Sequence, residues 1–308
     1  MALTLIEAAK LNSGDVIKNA IIELYAGSSD ILMNLPFESI SGNAMKYNRE
    51  AALPGVGFRG VNESYTASTG VLNPLTESLV IAGGDLDVDK FIIDTMGGSQ
   101  RAVQEAMKVR ALSLAWTSKF IKGDAASDPR EFDGLQTRIT GSQKIQAGAT
   151  ANGTALSLEK LDEAIDQTLN PTHLIMNKKM ARKFSKAGRT TAVSGYVTYG
   201  VDALGRRVEM YNGLPILLVD LDNAGTSIIT NTEACTSGTA TGTSIYVVSM
   251  GDGMLTGIQN GGIDVRDLGE LQTSPLFRTR VEWYNSIAIF NGRAATRIWS
   301  IADADIVA

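Results

Sequence analysis

Apolar residues recur at helical spacing between Ser99 and Lys122, where neither glycine nor proline interrupts the chain. Ser99 is a suitable N-cap, and Gly123 supplies a C-terminal stop. A helix over this range would be roughly 35 Å long. The apolar stripe consists of Val103, Met107, Ala111, Leu114 and Ile121, widened on one side by Ala106, Val109, Trp116 and Phe120. Its width predicts a spine helix with a sheet packed against it.

A polar hairpin is predicted before this helix. Alternating runs at Asn43–Glu50 and Leu75–Ala82 predict two strands, and the segment between them contains Pro54, Pro74 and several glycines. A two-stranded ribbon is at best marginally stable alone, and a long irregular loop inside a domain usually indicates function or disorder. With little apolar surface to bury, the hairpin is expected to lie on another subunit. This favours an assembly protein over an enzyme.

The remaining chain predicts an α+β layout. A helix capped by Asp15 is expected to end near Gly27, and Ala147–Ala155 is expected to mark a boundary. After the boundary, helices are predicted over Ser157–Leu169 and Lys178–Ala187, with strands at Thr172–Met176, Arg207–Tyr211, Pro215–Val219, Ser227–Thr230 and Ile245–Ser249. The final strands are predicted at Gly262–Asp267, Leu276–Trp283, Ser286–Ile289 and Thr296–Ile301.

Composition limits the function classes. The 308 residues are 44% hydrophobic and 20% charged, with a net charge of −5, which is typical of a folded protein without the basic excess of a nucleic-acid binder. The single cysteine, Cys235, cannot form an intrachain disulfide, which fits a reducing compartment. Met1–Lys10 lacks the basic start of a signal peptide, and no apolar run is long enough to span a membrane. We therefore expect a soluble protein without a membrane partner.

The segment Gly55-Val-Gly57-Phe-Arg-Gly60 matches the spacing of a dinucleotide-binding loop. Such a loop works between a buried strand and the start of a helix, because the helix N-terminus binds the pyrophosphate. Here Pro54 precedes the glycines and a polar stretch follows them. Tight backbone turns explain the glycines better. A dinucleotide-binding enzyme stays as an alternative from another class, and no cofactor is expected.

Other candidate chemistry is sparse. Asp85, Asp87 and Asp89 have the spacing of the first calcium-loop ligands, but the glycine and the final glutamate of that loop are missing. His173 is the only histidine and Cys235 the only cysteine, which argues against transition-metal sites and Ser/Cys–His catalysis. We predict neither a metal site nor catalytic residues.

One basic cluster contains no acid and consists of Lys178, Lys179, Arg182, Lys183, Lys186 and Arg189. It is a candidate contact for an anionic partner, either nucleic acid or an acidic patch on a neighbouring subunit. The alternative is a solvated helix face, which the lack of interleaved aromatic residues favours.

Several short motifs follow one another along the chain in an order that is typical of one protein family. The most specific stretch runs from Tyr47-Asn-Arg-Glu to Leu53-Pro-Gly-Val-Gly-Phe-Arg-Gly-Val-Asn-Glu. The others are Phe132-Asp-Gly-Leu, Asn170-Pro with Met176-Asn-Lys-Lys, Gly213-Leu-Pro-Ile and Gly251-Asp. Together with the hairpin and spine, this order resembles the tailed-phage major capsid proteins. That family has the Hong Kong 97 fold, which herpesvirus capsids and bacterial encapsulins share.

The resemblance implies a division of the chain. Residues 1–40 would be an N-terminal arm and residues 41–82 an extended loop. Residues 83–154 and 262–308 would form a peripheral domain around the spine helix 99–122, and residues 155–261 an inserted α/β axial domain.

The resemblance also implies a structural, non-enzymatic subunit of an icosahedral capsid. Pentamers and hexamers would enclose double-stranded DNA, contacted non-specifically, with scaffolding, decoration and portal proteins as further partners. The protein would be located in the virion, after assembly in the host cytoplasm. An encapsulin-like compartment shell is the alternative.

Loop residues are the predicted subunit contacts. They are Arg49, Glu50, Phe58, Arg59 and Glu63. Some relatives cross-link a loop lysine to a neighbour, but Lys46 lies on the first predicted strand, away from the tip, so that chemistry is not expected. No charged N-terminal scaffolding segment is expected either.

Overall fold

Helices and strands alternate in the computed structural model, which describes residues 3–4, 29–96, 99–148, 152–189, 197–201, 205, 207–236 and 239–307. The helix predicted from Asp15 lies outside these residues. The helices are α1 (Asp30–Asn34), α2 (Lys90–Met96), α3 (Ser99–Lys122), α4 (Leu135–Arg138), α5 (Leu158–Gln167) and α6 (Lys178–Ala187), with a 3-10 turn at Gly141–Gln143. The strands are β1 (Leu3–Thr4), β2 (Pro36–Ser39), β3 (Ala44–Ala52), β4 (Val71–Ser78), β5 (Val80–Asp89), β6 (Lys144–Gln146), β7 (His173–Asn177), β8 (Val197–Val201), β9 (Arg207–Tyr211), β10 (Leu214–Val219), β11 (Glu233–Ala234), β12 (Thr241–Val248), β13 (Leu255–Glu270), β14 (Leu276–Ile289) and β15 (Ala295–Ile301).

Two large sheets organise these elements. The first has the order β1-β2-β13-β14-β5 and is antiparallel except between β2 and β13. The second has the order β6-β15-β12-β7-β10-β9-β8, with β11 paired to β12. Strands β6 and β15 come from segments assigned to the peripheral domain, yet β15 pairs with β12 of the segment 155–261. The second sheet is therefore shared between the two predicted domains.

The spine helix α3 has the predicted bounds, and its second half lies in the larger core. The ring centroid of Trp116 lies 5.3 Å from that of Phe120 and 5.8 Å from that of Trp283. Phe37 of β2 lies 5.1 Å from Trp283. The indole Nε1 of Trp116 donates a hydrogen bond to Asn285 Oδ1 at 2.8 Å, and both residues are buried. These contacts couple the helix to β14, since aromatic packing and a buried hydrogen bond both depend on its position.

The first half of α3 differs from the prediction. Val103 and Met107, expected to pack on a sheet, are 52% and 60% exposed. The contacts between helix and sheet here are polar: Arg101 Nη2 donates to Thr279 Oγ1 at 2.8 Å, and that hydroxyl donates to Glu105 at 2.7 Å. The apolar stripe therefore continues onto the surface.

The second sheet is covered on both faces. Leu161 of α5 and Phe184 of α6 pack on one face in a second apolar cluster. On the opposite face, Ile175 and Tyr246 belong to the larger core that contains Trp116. The helix α6 begins where predicted, because the Asn177 side chain accepts a hydrogen bond from Met180 N at 2.8 Å.

Two strand predictions were wrong. The separate strands at Leu276–Trp283 and Ser286–Ile289 are one continuous strand, β14. The segment Ser227–Thr230 contributes only an isolated bridge to Leu221 instead of a strand. Its apolar residues are buried, but its backbone binds elsewhere: Asn177 Nδ2 donates to the carbonyl of Ile229 at 3.1 Å. An apolar run that is buried without a neighbouring strand cannot be distinguished from a strand by its pattern.

Replacing Trp116 with Phe should lower the free energy of unfolding by about 2 kcal/mol, because the buried Asn285 oxygen loses its donor. Urea unfolding followed by circular dichroism measures this change. Trp299→Phe is the control, since Trp299 is only partly buried and stacks under Lys144. Equal losses for the two variants would contradict the importance of the Trp116 hydrogen bond.

Candidate subunit interface

Strands β3 and β4 form a hairpin that pairs with no other strand of the described chain. The register runs from Ala44 opposite Ser78 to Ala52 opposite Val71. Leu79 alone separates β4 from β5, and its N–H donates to Asn43 O at 2.8 Å. The predicted strand Leu75–Ala82 is thus the junction between this arm and the first sheet.

The base of the arm is held by a cluster that we call the base clamp: Tyr47, Glu77, Arg138 and Phe290. Arg138 of α4 donates to both carboxylate oxygens of Glu77, at 2.5 and 2.7 Å. The Tyr47 hydroxyl lies 3.2 Å from Glu77 Oε1 and 3.2 Å from the Ile289 carbonyl, while its ring meets Phe290 edge-on. A bidentate pair of this kind fixes orientation as well as distance. The direction of the arm is therefore defined at its base.

Burial and the adjacent Glu77 carboxylate raise the pKa of Tyr47 to about 12. The folded protein thus favours the neutral phenol more than the unfolded chain does, whose tyrosines titrate near 10. The stabilisation that depends on the neutral phenol is complete below about pH 10 and is lost as the pH rises towards 12.

The loop 53–70 closes the arm with its polar groups bound to one another. Gly60 N donates to Glu63 Oε2 at 2.7 Å, and Arg59 Nη1 donates to the Glu63 carbonyl at 3.2 Å. Ser68 Oγ donates to Gly55 O at 2.8 Å across the loop. Asn62 has a φ of 67°, the left-handed conformation that asparagine tolerates in turns. The loop is therefore a structured tip.

Apolar side chains of the same loop point into solvent. Phe58 is fully exposed, and the others are Leu53, Val56, Val61 and Tyr65, each at least 67% exposed. The prediction of a polar hairpin was wrong at the tip, where an apolar patch is presented. We call these five side chains the tip patch.

The predicted contact residues are not equivalent in the structure. Phe58 is part of the tip patch, whereas Arg59 and Glu63 use their polar groups inside the loop. Arg49 and Glu50 lie on β3, away from the tip, with Arg49 partly buried and Glu50 exposed. Contact of these residues with a neighbouring subunit stays a prediction. The apolar members Leu53, Val56 and Val61 were missed, although they alternate with the glycines in the sequence.

The dinucleotide pattern lacks the context its chemistry requires. Residues 53–60 are neither strand nor helix, and no helix opens after Gly60. The carbonyl of Gly55 instead accepts the Ser68 hydroxyl within the loop. None of these three glycines has a positive φ, so the backbone of the segment does not itself require glycine.

Two aspartates of β5 are bound by arginines of β14. Asp85 and Asp87 each receive two hydrogen bonds, at 2.6 to 2.8 Å, from Arg280 and Arg278 of β14. These bonds hold the pKa of both carboxyl groups below the usual range. No group of three or more His, Cys, Asp or Glu side chains in the described residues is arranged to bind a metal. Among the described helices, none is long and apolar enough to cross a bilayer.

The basic cluster on α6 has carboxylate partners that are remote in sequence. Lys179 and Lys183 both bind Asp303, and the pairs Lys178–Asp220 and Lys186–Asp305 accompany them. Arg182 is exposed on the same helix. The absence of nearby acids in the sequence therefore does not leave these lysines unpaired.

Comparison with known proteins gives consistent results. The sequence model of the family Major capsid protein GP7 matches residues 12–158. The holo-SrpI encapsulin complex from Synechococcus elongatus PCC 7942 contains a similar structure, with a TM-score of 0.65 and 16% identity over 100% of this chain and 99% of that one. A structure from Microbacterium phage Oxtober96 has a TM-score of 0.63 and 12% identity over 89% of this chain and 90% of that one. The chain has the fold of a capsid subunit.

A third similar structure is the Cyanophage A-1(L) capsid, with a TM-score of 0.56 and 14% identity over 91% of this chain and 92% of that one. No curated protein matches the chain. The Hong Kong 97-type α+β fold is confirmed by these structures, and the family match over residues 12–158 supports the predicted recognition as a tailed-phage major capsid protein. Identities this low establish the fold alone, and the family match, which covers less than half of the chain, points to the same class of protein.

Replacing Tyr47 with Phe should cost about 1 kcal/mol of unfolding free energy at pH 8, because the base clamp loses its hydroxyl. The difference from the native subunit should shrink at pH 11 by less than about 1 kcal/mol, since Tyr47 is only half-buried. Urea unfolding at both pH values measures the effect. The exposed Tyr65→Phe is the control, and a pH-independent Tyr47 difference would contradict the assigned pKa.

Proposed function

We propose that the chain is the structural subunit of an icosahedral viral capsid. It assembles into pentamers and hexamers that enclose double-stranded DNA, and it has no catalytic role. The observation that carries this proposal is the tip patch, displayed on an arm whose direction the base clamp fixes. The family match and the capsid fold support the same conclusion.

The tip patch supplies an assembly contact. Isolated exposed apolar residues are ordinary, but five of them in one loop at the end of an arm mark an interaction surface. Burying a single large apolar side chain is worth about 1.5–3 kcal/mol. Each contact between neighbours is therefore modest, and a closed shell gains its strength by repeating the contact around symmetric rings.

A second exposed surface is apolar, like the tip patch. It includes Val103 and Met107 of α3 and Phe91 of α2, which are at least 52% exposed. We propose that the tip patch of one subunit packs on this surface of the next. Arg49 and Glu50 then make charged contacts along the side of the arm.

The proposal keeps the predicted division into an N-terminal arm at 1–40, an extended loop at 41–82, a peripheral domain at 83–154 and 262–308, and an axial domain at 155–261. Scaffolding, decoration and portal proteins are its further partners. The virion is the final location, after assembly in the host cytoplasm.

Replacing Phe58 and Val61 with Ser should leave a folded subunit that does not form shells, because both side chains are exposed in the isolated chain. Sedimentation velocity and negative-stain microscopy measure assembly, and circular dichroism measures folding. Thr66→Ser in the same loop is the control and should assemble normally. Shells of normal size and yield from the double variant would overturn the role of the tip patch.

An encapsulin-like compartment shell is the second candidate, favoured by the structural match over 100% of this chain. The contents of the purified particles distinguish the viral capsid from the compartment shell. Nuclease-protected double-stranded DNA in particles from infected cells supports the viral capsid, whereas a single co-purifying protein cargo without DNA supports the compartment.

A further inference from the structure

The α6 helix has two opposite faces of different chemistry. Met180, Ala181, Phe184 and Ala187 are buried in the second core. The other face carries charge and consists of Lys178, Lys179, Arg182, Lys183 and Lys186, and Arg189 follows in the turn after the helix. We infer that this basic face binds the phosphate backbone of double-stranded DNA, and that three aspartates of the same chain restrain the binding.

The composition of the face favours phosphate over a protein partner. Protein interfaces depend on buried aromatic or aliphatic anchors and are depleted in lysine. The apolar residues of α6 are already used by the core, so the face offers only cationic groups. Duplex DNA presents one charge per about 1.7 Å of its axis, so a helix of this length, roughly 15 Å, meets several phosphates.

The restraining carboxylates are positioned by backbone structure. Asp303 and Asp305 lie in a segment whose ends are hydrogen-bonded to the body, with Ala302 N donating to Thr154 O at 2.9 Å and Val307 N donating to Leu156 O at 3.0 Å. We call residues 302–307 the acidic strap. The two lysines that contact Asp303 lower its pKa to about 2, so the carboxylate stays ionised at neutral pH.

The restraint is weak enough for DNA to compete. Lys179, Lys186 and their partners are 41% to 70% exposed, and exposed ion pairs are worth only about 0–1 kcal/mol each. Lys183 is 15% exposed, so its pair with Asp303 is the most shielded of the three strap contacts. The cluster has six cations and meets three aspartates, so it keeps a positive excess. The strap thus lowers the affinity for DNA without abolishing it.

This inference rests on the proposed enclosure of DNA, but its test uses unassembled subunits. The double variant Asp303→Asn/Asp305→Asn should bind a fluorescein-labelled 20-base-pair duplex about tenfold or more tightly at 50 mM salt than the native subunit. The slope of log K against log salt should steepen by about 0.9 for each lysine released, up to about 3. Fluorescence anisotropy over a salt series measures both quantities.

Three comparisons make the result decisive. Glu38→Gln/Asp94→Asn changes the net charge equally at exposed sites elsewhere and should leave the affinity within about twofold of the native value. Adding Lys179→Gln, Lys183→Gln and Lys186→Gln to the strap variant should remove the gain. Asp305→Asn alone, at a 70% exposed side chain, gives a smaller gain if the double variant does not fold.

An unchanged affinity and salt slope in the folded strap variants would overturn the inference, as would an equal gain in the charge-matched control. Sedimentation velocity on the same samples reports shell formation separately. A subunit that binds DNA as expected but never assembles would contradict the proposed function and leave the DNA-binding face intact.

Discussion

The burial of Trp116 is the constraint on which the described architecture depends. Its ring lies against Phe120 of its own helix, Trp283 of the first sheet and Phe132 of the segment between α3 and α4. The same core continues to Ile175 and Tyr246 of the second sheet. Helix α3 therefore packs in one core with both sheets, although the two sheets are built from different segments of the chain. The division into domains by sequence position does not correspond to separate cores, because the core around Trp116 contains residues of both predicted domains and β15 contributes to both apolar clusters.

The arm reverses the usual distribution of polar and apolar groups. Its tip binds its polar groups internally, through Glu63 and Ser68, and presents Phe58 and Val61 to solvent. A contact surface that is already ordered loses little conformational entropy when it binds. The clamp of Arg138 on Glu77 has the complementary effect at the other end, since it limits the directions in which that surface can point. Together they make a preformed connector.

Local patterns predicted the local elements well. The bounds of α3 follow from uninterrupted helical periodicity, and α6 begins at its cap, Asn177. What failed depends on partners remote in sequence. The polar contacts of Arg101 with the sheet leave Val103 exposed, and the acidic strap meets α6 from more than a hundred positions away. No periodicity encodes such pairs. The loop itself was recognisable from its glycines and prolines, but its exposed apolar residues Leu53, Val56 and Val61 were missed.

The single residue between β4 and β5 has a mechanical consequence. A force applied at the tip passes through Leu79 directly into β5, which is paired with β14 along its whole length. Tension along β5 loads this antiparallel ladder in shear, so its hydrogen bonds resist together instead of opening one after another. The Arg278 and Arg280 pairs with Asp87 and Asp85 reinforce the same ladder from the side. The first sheet is therefore an anchor that resists a force applied to the arm while the subunit keeps its shape.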